Sequence, residues 1–284
     1  MRKNKFFDRD VSEVSSYWNN RPCNLRHSLQ PIGSREYFDE VEKRKYFVEP
    51  HIPKFAEFSR WRDKKVLEIG CGIGTDTINF ARAGAMVTAI DISEESLNLA
   101  RQRAKIYGLT DRITFIQANA EQLPDFVRPE PYDLVYSFGV IHHTPHPEAV
   151  ISHLPKYMHQ NSTFKIMVYN KFSWKVAWIC LKYGKGAFWK LDELVASHSE
   201  AQTGCPVTYT YTNAQLQQLL QGMVVSKTFV DHIFPYSIPE YVRYEYKKRW
   251  YFRILPDWFF HFLEHNFGWH RCAEAKLSCK HGNT

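Results

Sequence analysis

A short apolar run followed by three closely spaced glycines constrains the fold of this chain more than any other feature. Residues Lys65–Ile69 form a pattern typical of a buried strand, and Gly70, Gly72 and Gly74 follow it directly. An amphipathic segment begins immediately after the glycines. Glycine allows positive φ angles and lets a bulky ligand approach the bare backbone. The pattern therefore predicts a strand, a nucleotide-binding turn and a helix, in that order.

Length and composition allow one α/β domain with additions. The chain has 284 residues, of which 44% are hydrophobic, enough to bury a substantial core. The charged N-terminus is not followed by an apolar run, and no long uninterrupted apolar stretch occurs, so we expect neither a secretion signal nor a membrane span. The six cysteines are widely spaced without a Cys-x-x-Cys pair. They are expected to be free thiols in a cytoplasmic protein.

The formal net charge of +7 is spread over several short basic groups, such as residues 2–5 and 101–105. This distribution is typical of solvated helix faces, and an attraction for acidic substrates or anionic surfaces is the alternative. There is no dense basic stripe of the kind that binds nucleic acid. We therefore expect no nucleic-acid partner.

Strand-like and helix-like segments alternate after residue 62. The predicted strands are residues 65–69, 86–90, 113–117, 134–137, 163–169, 224–231 and 268–277. The alternation predicts an α/β fold with a doubly wound, mostly parallel sheet. Ligands of such sheets bind beyond the carboxyl ends of the strands, near the point where the strand order reverses. Residues 68–74, Asp91, Asn119 and residues 137–143 are therefore expected to converge on one crevice.

The segments on either side of this alternation are predicted to be additions to the sheet. Residues 1–62 are expected to form an N-terminal helical cap, and residues 63–284 one domain with lid-like insertions at about 171–211 and 232–266. The second insertion alternates aromatic residues with lysines and arginines. Three interpretations of it stay open: a lid over the crevice, a subunit contact or simple packing, and an interfacial membrane element.

The charges around the glycine turn indicate the kind of ligand. Asp91 follows Gly70 by about twenty residues, a spacing suited to ribose hydroxyls, which NAD and S-adenosylmethionine (SAM) both carry. Glu68 and Asp76 place carboxylates beside the turn, which favours a cationic ligand over a pyrophosphate. The glycine spacing also departs from the dinucleotide pattern Gly-x-Gly-x-x-Gly. SAM, a sulfonium cation, is therefore favoured over NAD.

Four segments together resemble the motifs of the class I SAM-dependent methyltransferases. They are Val-Leu-Glu-Ile-Gly-Cys-Gly-Ile-Gly-Thr at 66–75, Ala-Ile-Asp-Ile-Ser at 89–93, Gln-Ala-Asn-Ala-Glu-Gln-Leu-Pro at 117–124, and Tyr-Asp-Leu-Val-Tyr-Ser-Phe-Gly-Val-Ile-His-His-Thr-Pro at 132–145. The last resembles the small-molecule branch, which includes ubiquinone- and menaquinone-type enzymes. The resemblance implies a Rossmann-like seven-stranded sheet, a last strand that runs antiparallel between the fifth and sixth, and methyl transfer from SAM that leaves S-adenosylhomocysteine.

The resemblance also implies which residues bind the cofactor. In the family, the turn contacts the methionine part and the sugar, Asp91 the ribose, and Ile92 the adenine face. Asn119 stands where the family more often has Asp, and its side chain still offers an acceptor to the adenine amino group. Alternatively, Ile92 belongs to the core and Asn119 forms a turn. The implied cofactor-binding residues are Glu68, Gly70, Cys71, Gly72, Gly74, Asp91, Ile92, Asn119, Ala120 and Ser137.

His142 and His143 are the candidate catalytic residues. Methyl transfer depends mainly on positioning, and a base is needed only when the acceptor is protonated at the working pH. A neutral imidazole meets that need, although either histidine could instead pack or bind a loop. His146 completes a His-His-x-x-His cluster, but no matching helix or carboxylate supports a metal. We therefore predict no metal site.

The acceptor is predicted to be a small molecule. Residues 137–140 differ from the Asn/Asp-Pro-Pro-aromatic motif found in methyltransferases of amide and nucleobase nitrogens, and N and O acceptors stay open. Aromatic side chains could hold an ammonium substrate by cation–π attraction, with core packing as the alternative. The candidate substrate-binding residues are Tyr17, Trp18, Arg21, Tyr37, Tyr46, His142, His143, Tyr241 and Tyr244.

The sequence as a whole predicts a SAM-dependent methyltransferase of specialised metabolism that acts as a monomer or homodimer. Its partners would be a small-molecule substrate and, at most, a weak interfacial contact with a membrane. Two alternatives stay open, an NAD-dependent oxidoreductase and a SAM-binding regulatory protein without catalytic activity.

Overall fold

A computed structural model of the chain describes residues 10–184, 191–199 and 205–278. The predicted basic group at residues 2–5 and the predicted free thiol of Cys279 lie outside these ranges. The other five cysteines are free, as predicted. Within the described residues, no helix is both long enough and apolar enough to cross a membrane.

One mixed sheet organises the molecule. Its strands are β1 Lys65–Ile69, β2 Met86–Asp91, β3 Ile113–Gln117, β4 Tyr132–Phe138, β5 Met158–Asn170, β6 Thr210–Tyr211, β7 Met223–Asp231 and β8 His270–Leu277. The order is β3-β2-β1-β4-β5-β8-β7, with β6 beside β5. Strand β8 is antiparallel to both β5 and β7. The predicted Rossmann-like fold with an antiparallel last strand is confirmed. The two-residue β6 was not predicted, because it is too short to show an alternating pattern.

Helices cover both faces of the sheet. They are α1 Val11–Asn20, α2 Arg35–Val48, α3 His51–Ala56, α4 Thr75–Arg82, α5 Glu94–Ile106, α6 Leu123–Phe126, α7 Pro147–His153, α8 Trp174–Tyr183, α9 Leu191–His198, α10 Asn213–Leu219, α11 Ile238–Val242, α12 Trp250–Arg253 and α13 Asp257–Phe267. Neighbouring residues of β1 point to opposite faces. Val66 accordingly joins a core cluster with α3, α4, α5 and α8, and Leu67 joins one with α6, α7 and α10.

The helix starts follow local capping chemistry. The side chains of Asp10, Ser93 and Thr212 accept hydrogen bonds from backbone N–H groups in the first turns of α1, α5 and α10. Each of these N-cap interactions joins residues only two or three positions apart. Strand β5 is longer than predicted and begins at Met158.

A buried arginine joins the N-terminal helices to the sheet domain. The side chain of Arg103 in α5 is fully buried and donates to Thr75 Oγ1 at 2.7 Å and to the carbonyl of Phe38 at 3.2 Å. It also forms an ion pair with Glu42 of α2 at 2.9 Å. One guanidinium therefore binds α2, α4 and α5 together.

The aromatic insertion between β7 and β8 folds into α11, α12 and α13. Phe252 and Phe260 pack with Ile233 in a small core of their own. Trp250 and Trp258 are more than 70% exposed. The insertion is thus only partly used for packing within the described chain. The lid, contact and interfacial interpretations stay predictions.

Replacing Arg103 should destabilise the protein far more than replacing its exposed neighbour on the same helix. Arg103→Met removes a fully buried guanidinium with its bonds to Glu42, Thr75 and the carbonyl of Phe38, and we expect a loss of roughly 3 kcal/mol in the free energy of unfolding. Arg101→Met removes a largely exposed pair with Glu94 and a hydrogen bond to Asn98, and should change stability by less than about 1 kcal/mol. Urea unfolding of both variants measures the difference. Equal effects would contradict the role assigned to Arg103.

Candidate active site

The glycine turn after β1 is held open by the backbone of β2. The N–H groups of Gly70 and Cys71 both donate to the carbonyl of Ile90, at 2.8 and 3.0 Å. Gly70 has a φ of 78°, and a Cβ there would overlap the side chain of Val140. Gly72 has a φ of 53°, and a Cβ there would meet no atom within 4 Å. Gly70 is thus required by packing, whereas Gly72 borders open space.

The Asp91 carboxylate closes the other side of this turn. One oxygen accepts from the N–H of Gly72 at 2.8 Å, and the other accepts from the N–H of Ser93 at 2.9 Å. Burial raises the pKa of Asp91, while these N–H donors lower it by stabilising the carboxylate. The residue is held rigidly at the carboxyl end of β2.

A cavity of about 160 Å³ opens at this end of the sheet. Nine of the predicted site residues line it, namely Gly70, Cys71, Gly72, Asp91, Ile92, Asn119, Ala120, Trp18 and His143. Ile92 is half-buried rather than part of the core. Asn119 also forms the anticipated turn, because its Oδ1 accepts from the N–H of Glu121 at 3.0 Å. The structure therefore brings the four sequence motifs to one cavity.

Three predicted cofactor residues lie behind the lining. Ser137 is fully buried and donates to the carbonyl of Ile69 at 3.3 Å, which joins β4 to β1. Gly74 caps the start of α4. Glu68 is buried and accepts from Thr77 Oγ1 at 2.5 Å. Burial, reinforced by nearby Asp76, raises the pKa of Glu68 to about 8. Contact of these three residues with the cofactor stays a prediction.

Asp76 does not provide the open negative charge expected from the sequence. Its carboxylate pairs with the Lys45 ammonium at 2.8 Å and accepts from the hydroxyls of Tyr46 at 2.9 Å and Tyr136 at 3.1 Å. Lys45 itself lines the cavity. The sequence argument was wrong on this point, because nothing in the sequence indicates that α2 places Lys45 beside Asp76. Asp76 therefore neutralises a partly buried cation within the fold.

His143 is positioned as an acceptor at the cavity wall. Its Nδ1 donates to the carbonyl of Val207 at 2.8 Å, in the segment that leads into β6. A neutral imidazole carries one proton, so this bond leaves Nε2 as the acceptor nitrogen. The ring packs edge-on against Trp18 with centroids 5.3 Å apart. The Val207 carbonyl thus fixes the orientation of the ring, and a catalytic role of His143 stays a prediction.

His142 is a less suitable base. It is fully buried, and neither ring nitrogen has a hydrogen-bond partner among the described residues. Burial lowers the pKa of His142 well below its ordinary value. Its ring packs on Tyr169 with centroids 3.9 Å apart. The sequence analysis gave packing as an alternative role for His142, and its observed position agrees with packing. A catalytic role of His142 stays a prediction.

The remaining substrate candidates from the N-terminal segment do not line the cavity. Tyr37 is buried and its hydroxyl donates to the carbonyl of Leu25 at 2.8 Å. The hydroxyl of Tyr46 donates to the Asp76 carboxylate. Tyr17 packs edge-on against Trp18, and the Arg21 guanidinium lies 5.2 Å from the Tyr17 ring. Their contact with substrate stays a prediction.

The tyrosines of the insertion already hold a cation from the protein. The guanidinium of Arg44 lies 3.9 Å from the ring of Tyr241 and 4.0 Å from that of Tyr244. Neither tyrosine lines the cavity. A cation–π contact was expected, but its cation comes from α2 rather than from a substrate.

Several lining residues were missed by the sequence analysis. Val11 and Val14 of α1 and Lys45 of α2 all contribute to the wall. The valines are ordinary members of an amphipathic helix, and nothing in their pattern indicates a ligand. Only packing of α1 and α2 over the sheet edge brings them to the cavity.

The fold and the cavity define a Rossmann-like nucleotide-binding domain of the methyltransferase type. Residues 62–223, more than half of the chain, match a family model described as a methyltransferase domain. The chain therefore belongs to this methyltransferase family. The predicted relationship to class I SAM-dependent methyltransferases is confirmed, and SAM is the methyl donor of the family.

Curated relatives agree with this assignment. The chain is 32% identical over 122 residues to the ubiquinone biosynthesis O-methyltransferase of Photorhabdus laumondii, covering 42% of this chain and 50% of the relative. It is 37% identical over 93 residues to the enzyme of that name from Vibrio cholerae, covering 33% and 37%. The chain thus spans half or less of the length of these relatives.

Solved structures share the fold. Magnesium protoporphyrin IX methyltransferase from Synechocystis PCC 6803, with bound SAM, superposes with a TM-score of 0.56 at 18% identity, covering 95% of this chain and 98% of the other. Geranyl diphosphate C-methyltransferase from Streptomyces coelicolor A3(2) gives 0.57 at 14% identity, covering 97% and 100%. At these identities the similarity establishes the architecture.

The residues of the cavity fit SAM. Gly72 leaves open a space that a side chain would enter, Asp91 presents a carboxylate at the end of β2, and Ile92 adds an apolar surface. Ala118 and Ala120, which follow β3, add small side chains to the lining. A carboxylate beside small and apolar groups suits a ribose joined to a flat base.

The raised pKa of Glu68 predicts a pH-dependent stability. Its pKa is about 8 in the folded protein and ordinarily 4.5. The folded chain therefore holds this proton more tightly than the unfolded chain, and the free energy of unfolding should fall as pH rises from about 4.5 to about 8. Glu68→Gln should narrow the difference in Tm between pH 5 and pH 8.5 by about 5 °C.

The control for this experiment is Glu130→Gln. Glu130 is exposed, and its hydrogen bond with Lys65 lowers its pKa. It stays ionised over the same pH range, so the variant should keep the wild-type pH dependence. If the Tm of Glu68→Gln and the Tm of wild type changed in parallel with pH, this result would contradict the buried, protonated state of Glu68.

Asp91→Ala should weaken cofactor binding while the protein stays folded. Loss of charge-assisted hydrogen bonds to the ribose corresponds to about 1 to 3 kcal/mol, or roughly 5- to 150-fold in Kd for S-adenosylhomocysteine. Isothermal titration calorimetry measures it. Asp111→Ala, at an exposed position before β3, is the matched control and should bind as wild type does. An unchanged affinity in Asp91→Ala would show that the ribose lies elsewhere.

Proposed function

We propose that this protein transfers a methyl group from SAM to a hydroxyl oxygen of a small molecule, with His143 as the general base. The observation that carries the proposal is the hydrogen bond from His143 Nδ1 to the carbonyl of Val207. It makes Nε2 the accepting nitrogen of a side chain that lines the cofactor cavity. The names of the ubiquinone O-methyltransferase relatives support an oxygen acceptor.

Residues of the glycine turn and the ends of β2 and β3 would hold the cofactor. Asp91 would accept from the ribose hydroxyls, Ile92 would pack on the adenine, and Asn119 and Ala120 would face its edge. Gly72 would let the ligand approach the backbone. When bound, SAM supplies a methyl group activated by a sulfonium. The residues of the protein would orient the acceptor and remove its proton.

A base is needed for this acceptor because a neutral hydroxyl is a weak nucleophile. As the oxygen attacks, its proton would pass to His143 Nε2, and the proton on Nδ1 would stay on that nitrogen, hydrogen-bonded to the Val207 carbonyl. Burial of the ring, which is 4% exposed, limits competition from water. Trp18 packs edge-on against the imidazole and limits its rotation.

The surroundings of His143 favour a largely apolar acceptor. Val11, Val14 and Trp18 from α1 and Val140 from the loop after β4 face the same cavity. These side chains offer contact area and few hydrogen bonds, so they would select by shape. A hydroxylated aromatic ring or similar flat molecule fits that environment. A role in specialised metabolism stays a prediction from the sequence. The ubiquinone-related names of the relatives do not favour that setting in particular.

His143→Ala should lower kcat for hydroxyl methylation by about 100- to 10,000-fold while binding of S-adenosylhomocysteine stays near wild type. Release of S-adenosylhomocysteine is measured with a panel of phenols that differ in acidity. The defect should shrink as the phenol becomes more acidic, because an acceptor that is already ionised needs no base. This dependence separates a base from a residue that only packs.

His146→Ala is the matched control. His146 lies three residues further along the same loop, and its side chain is 61% exposed. It should keep wild-type turnover. Cofactor binding without turnover of any acceptor would favour the non-catalytic alternative. A His143→Ala defect that is equal for all phenols would exclude proton abstraction.

A further inference from the structure

Three histidines and a glutamate meet outside the cofactor cavity. Glu49 follows α2, His51 begins α3, His232 follows β7 and His270 begins β8. The three histidines are buried, with exposures of 5%, 8% and 4%. The ring centroids of His232 and His270 are 4.6 Å apart, and those of His51 and His270 are 5.0 Å apart. The methyltransfer mechanism uses none of these four side chains.

Three of the side chains bring potential metal-binding atoms close together. One donor atom each from Glu49, His232 and His270 lies within 4.8 Å of the other two. His270 Nε2 lies 3.6 Å from Glu49 Oε1. Two ligands of one tetrahedral zinc ion lie about 3.3 Å apart, given bonds of about 2.0 to 2.1 Å. Separations of up to 4.8 Å would therefore have to shorten by at most about 1.5 Å for all three donors to bind one ion.

His51 and Asp231 orient His270 from behind. The Nδ1 of His270 lies 2.9 Å from the Nε2 of His51. If His270 donates there, its Nε2 is the lone-pair nitrogen that faces Glu49. His51 then carries its own proton on Nδ1, which lies 4.0 Å from Asp231 Oδ1. Metal-binding histidines commonly have such a partner on the second ring nitrogen, which fixes the tautomer of the ligand.

The backbone at His232 is held in an unusual conformation. Its φ is 74°, in the left-handed region that a non-glycine residue rarely adopts. The carbonyl of His232 accepts from the N–H of Trp269 at 2.8 Å, and its own N–H donates to Asp231 Oδ1 at 2.6 Å. These bonds fix the residue beside His270. Strain of this kind is often retained where a side chain must be aimed at a ligand.

Two carboxylates lie beside these histidines. Glu49 Oε1 is 3.6 Å from His270 Nε2, and Asp231 Oδ1 is 4.0 Å from His51 Nδ1. The carboxylates of Glu49 and Asp231 provide the negative charge to balance a divalent ion.

We propose that Glu49, His232 and His270 form a mononuclear site for a divalent first-row transition metal, with zinc as the best match. Two imidazoles and one carboxylate are a ligand set of zinc sites in which a fourth position remains open. Phe138 separates this site from the cofactor cavity that it also lines, with its ring 5.5 Å from that of His270. The proposal does not depend on the acceptor or on His143.

The sequence analysis predicted no metal because it considered only the cluster at His142, His143 and His146. The ligands proposed here are distributed over three separate segments of the chain. Glu49 and His270 are brought together only when α2 packs against the start of β8. No local spacing motif could have indicated them.

Cobalt titration tests the site. Protein cleared of metal with EDTA is titrated with Co²⁺, and d–d absorption bands report coordination. We expect one equivalent to bind to wild type and Zn²⁺ to displace it. His232→Ala and His270→Ala should abolish the bands, and Glu49→Gln should weaken binding at least tenfold. His51→Ala should weaken it by about 10- to 100-fold, as expected for a partner that orients a ligand.

His261→Ala is the matched control, because His261 on α13 has a side chain 65% exposed and lies apart from the cluster. It should bind Co²⁺ as wild type does. Circular dichroism and binding of S-adenosylhomocysteine establish that each variant is folded. Should a histidine variant fail to fold, X-ray absorption of zinc-loaded wild type decides, because the site requires nitrogen and oxygen ligands with two imidazoles. Sulfur ligation, absence of binding by folded wild type, or unchanged binding in the folded histidine variants would overturn the proposal.

Discussion

The hydrogen bonds between the glycine turn and the end of β2 are the contacts on which the binding cavity depends. Gly70 and Cys71 donate to the carbonyl of Ile90, and Gly72 donates to the carboxylate of Asp91. Together they keep the turn flat against the sheet edge and direct its open side outward. Positive φ angles make this path accessible to glycine and costly for other residues. In the proposed complex, the carboxylate that holds the turn would also accept from the ribose hydroxyls.

A second constraint is the burial of charge between the N-terminal helices and the sheet domain. Lys45 pairs with Asp76 and Arg103 pairs with Glu42, both across the boundary between α2 and the rest of the molecule. Buried charges are costly unless they are paired, so these contacts specify how α2 docks. Docking of α2 then determines where Lys45 lines the cavity and where Glu49 meets His270. The N-terminal segment therefore completes the site rather than simply covering it.

Much of the fold follows from local patterns in the chain. The bounds of β1 and β3 match the predicted strands, and the N-cap of α5 is formed locally by Ser93. Gly72, Asp91, Ile92 and Asn119 converge as expected because parallel strands end at the same edge of the sheet. The aromatic insertion was less predictable. In the sequence, its tyrosines are equally consistent with a cage for a substrate cation. Only the tertiary packing shows that Arg44 occupies that position.

The sequence by itself determined the methyltransferase fold, the turn and the position of the cofactor cavity, because those features depend on periodicity and on residues a few positions apart. Tertiary structure alone decided the partners of distant side chains. It neutralised Asp76 with Lys45, fixed the tautomer of His143 through the carbonyl of Val207, and gathered Glu49, His232 and His270. These outcomes depend on how the helices pack over the sheet edge, and no single segment of the chain specifies that packing.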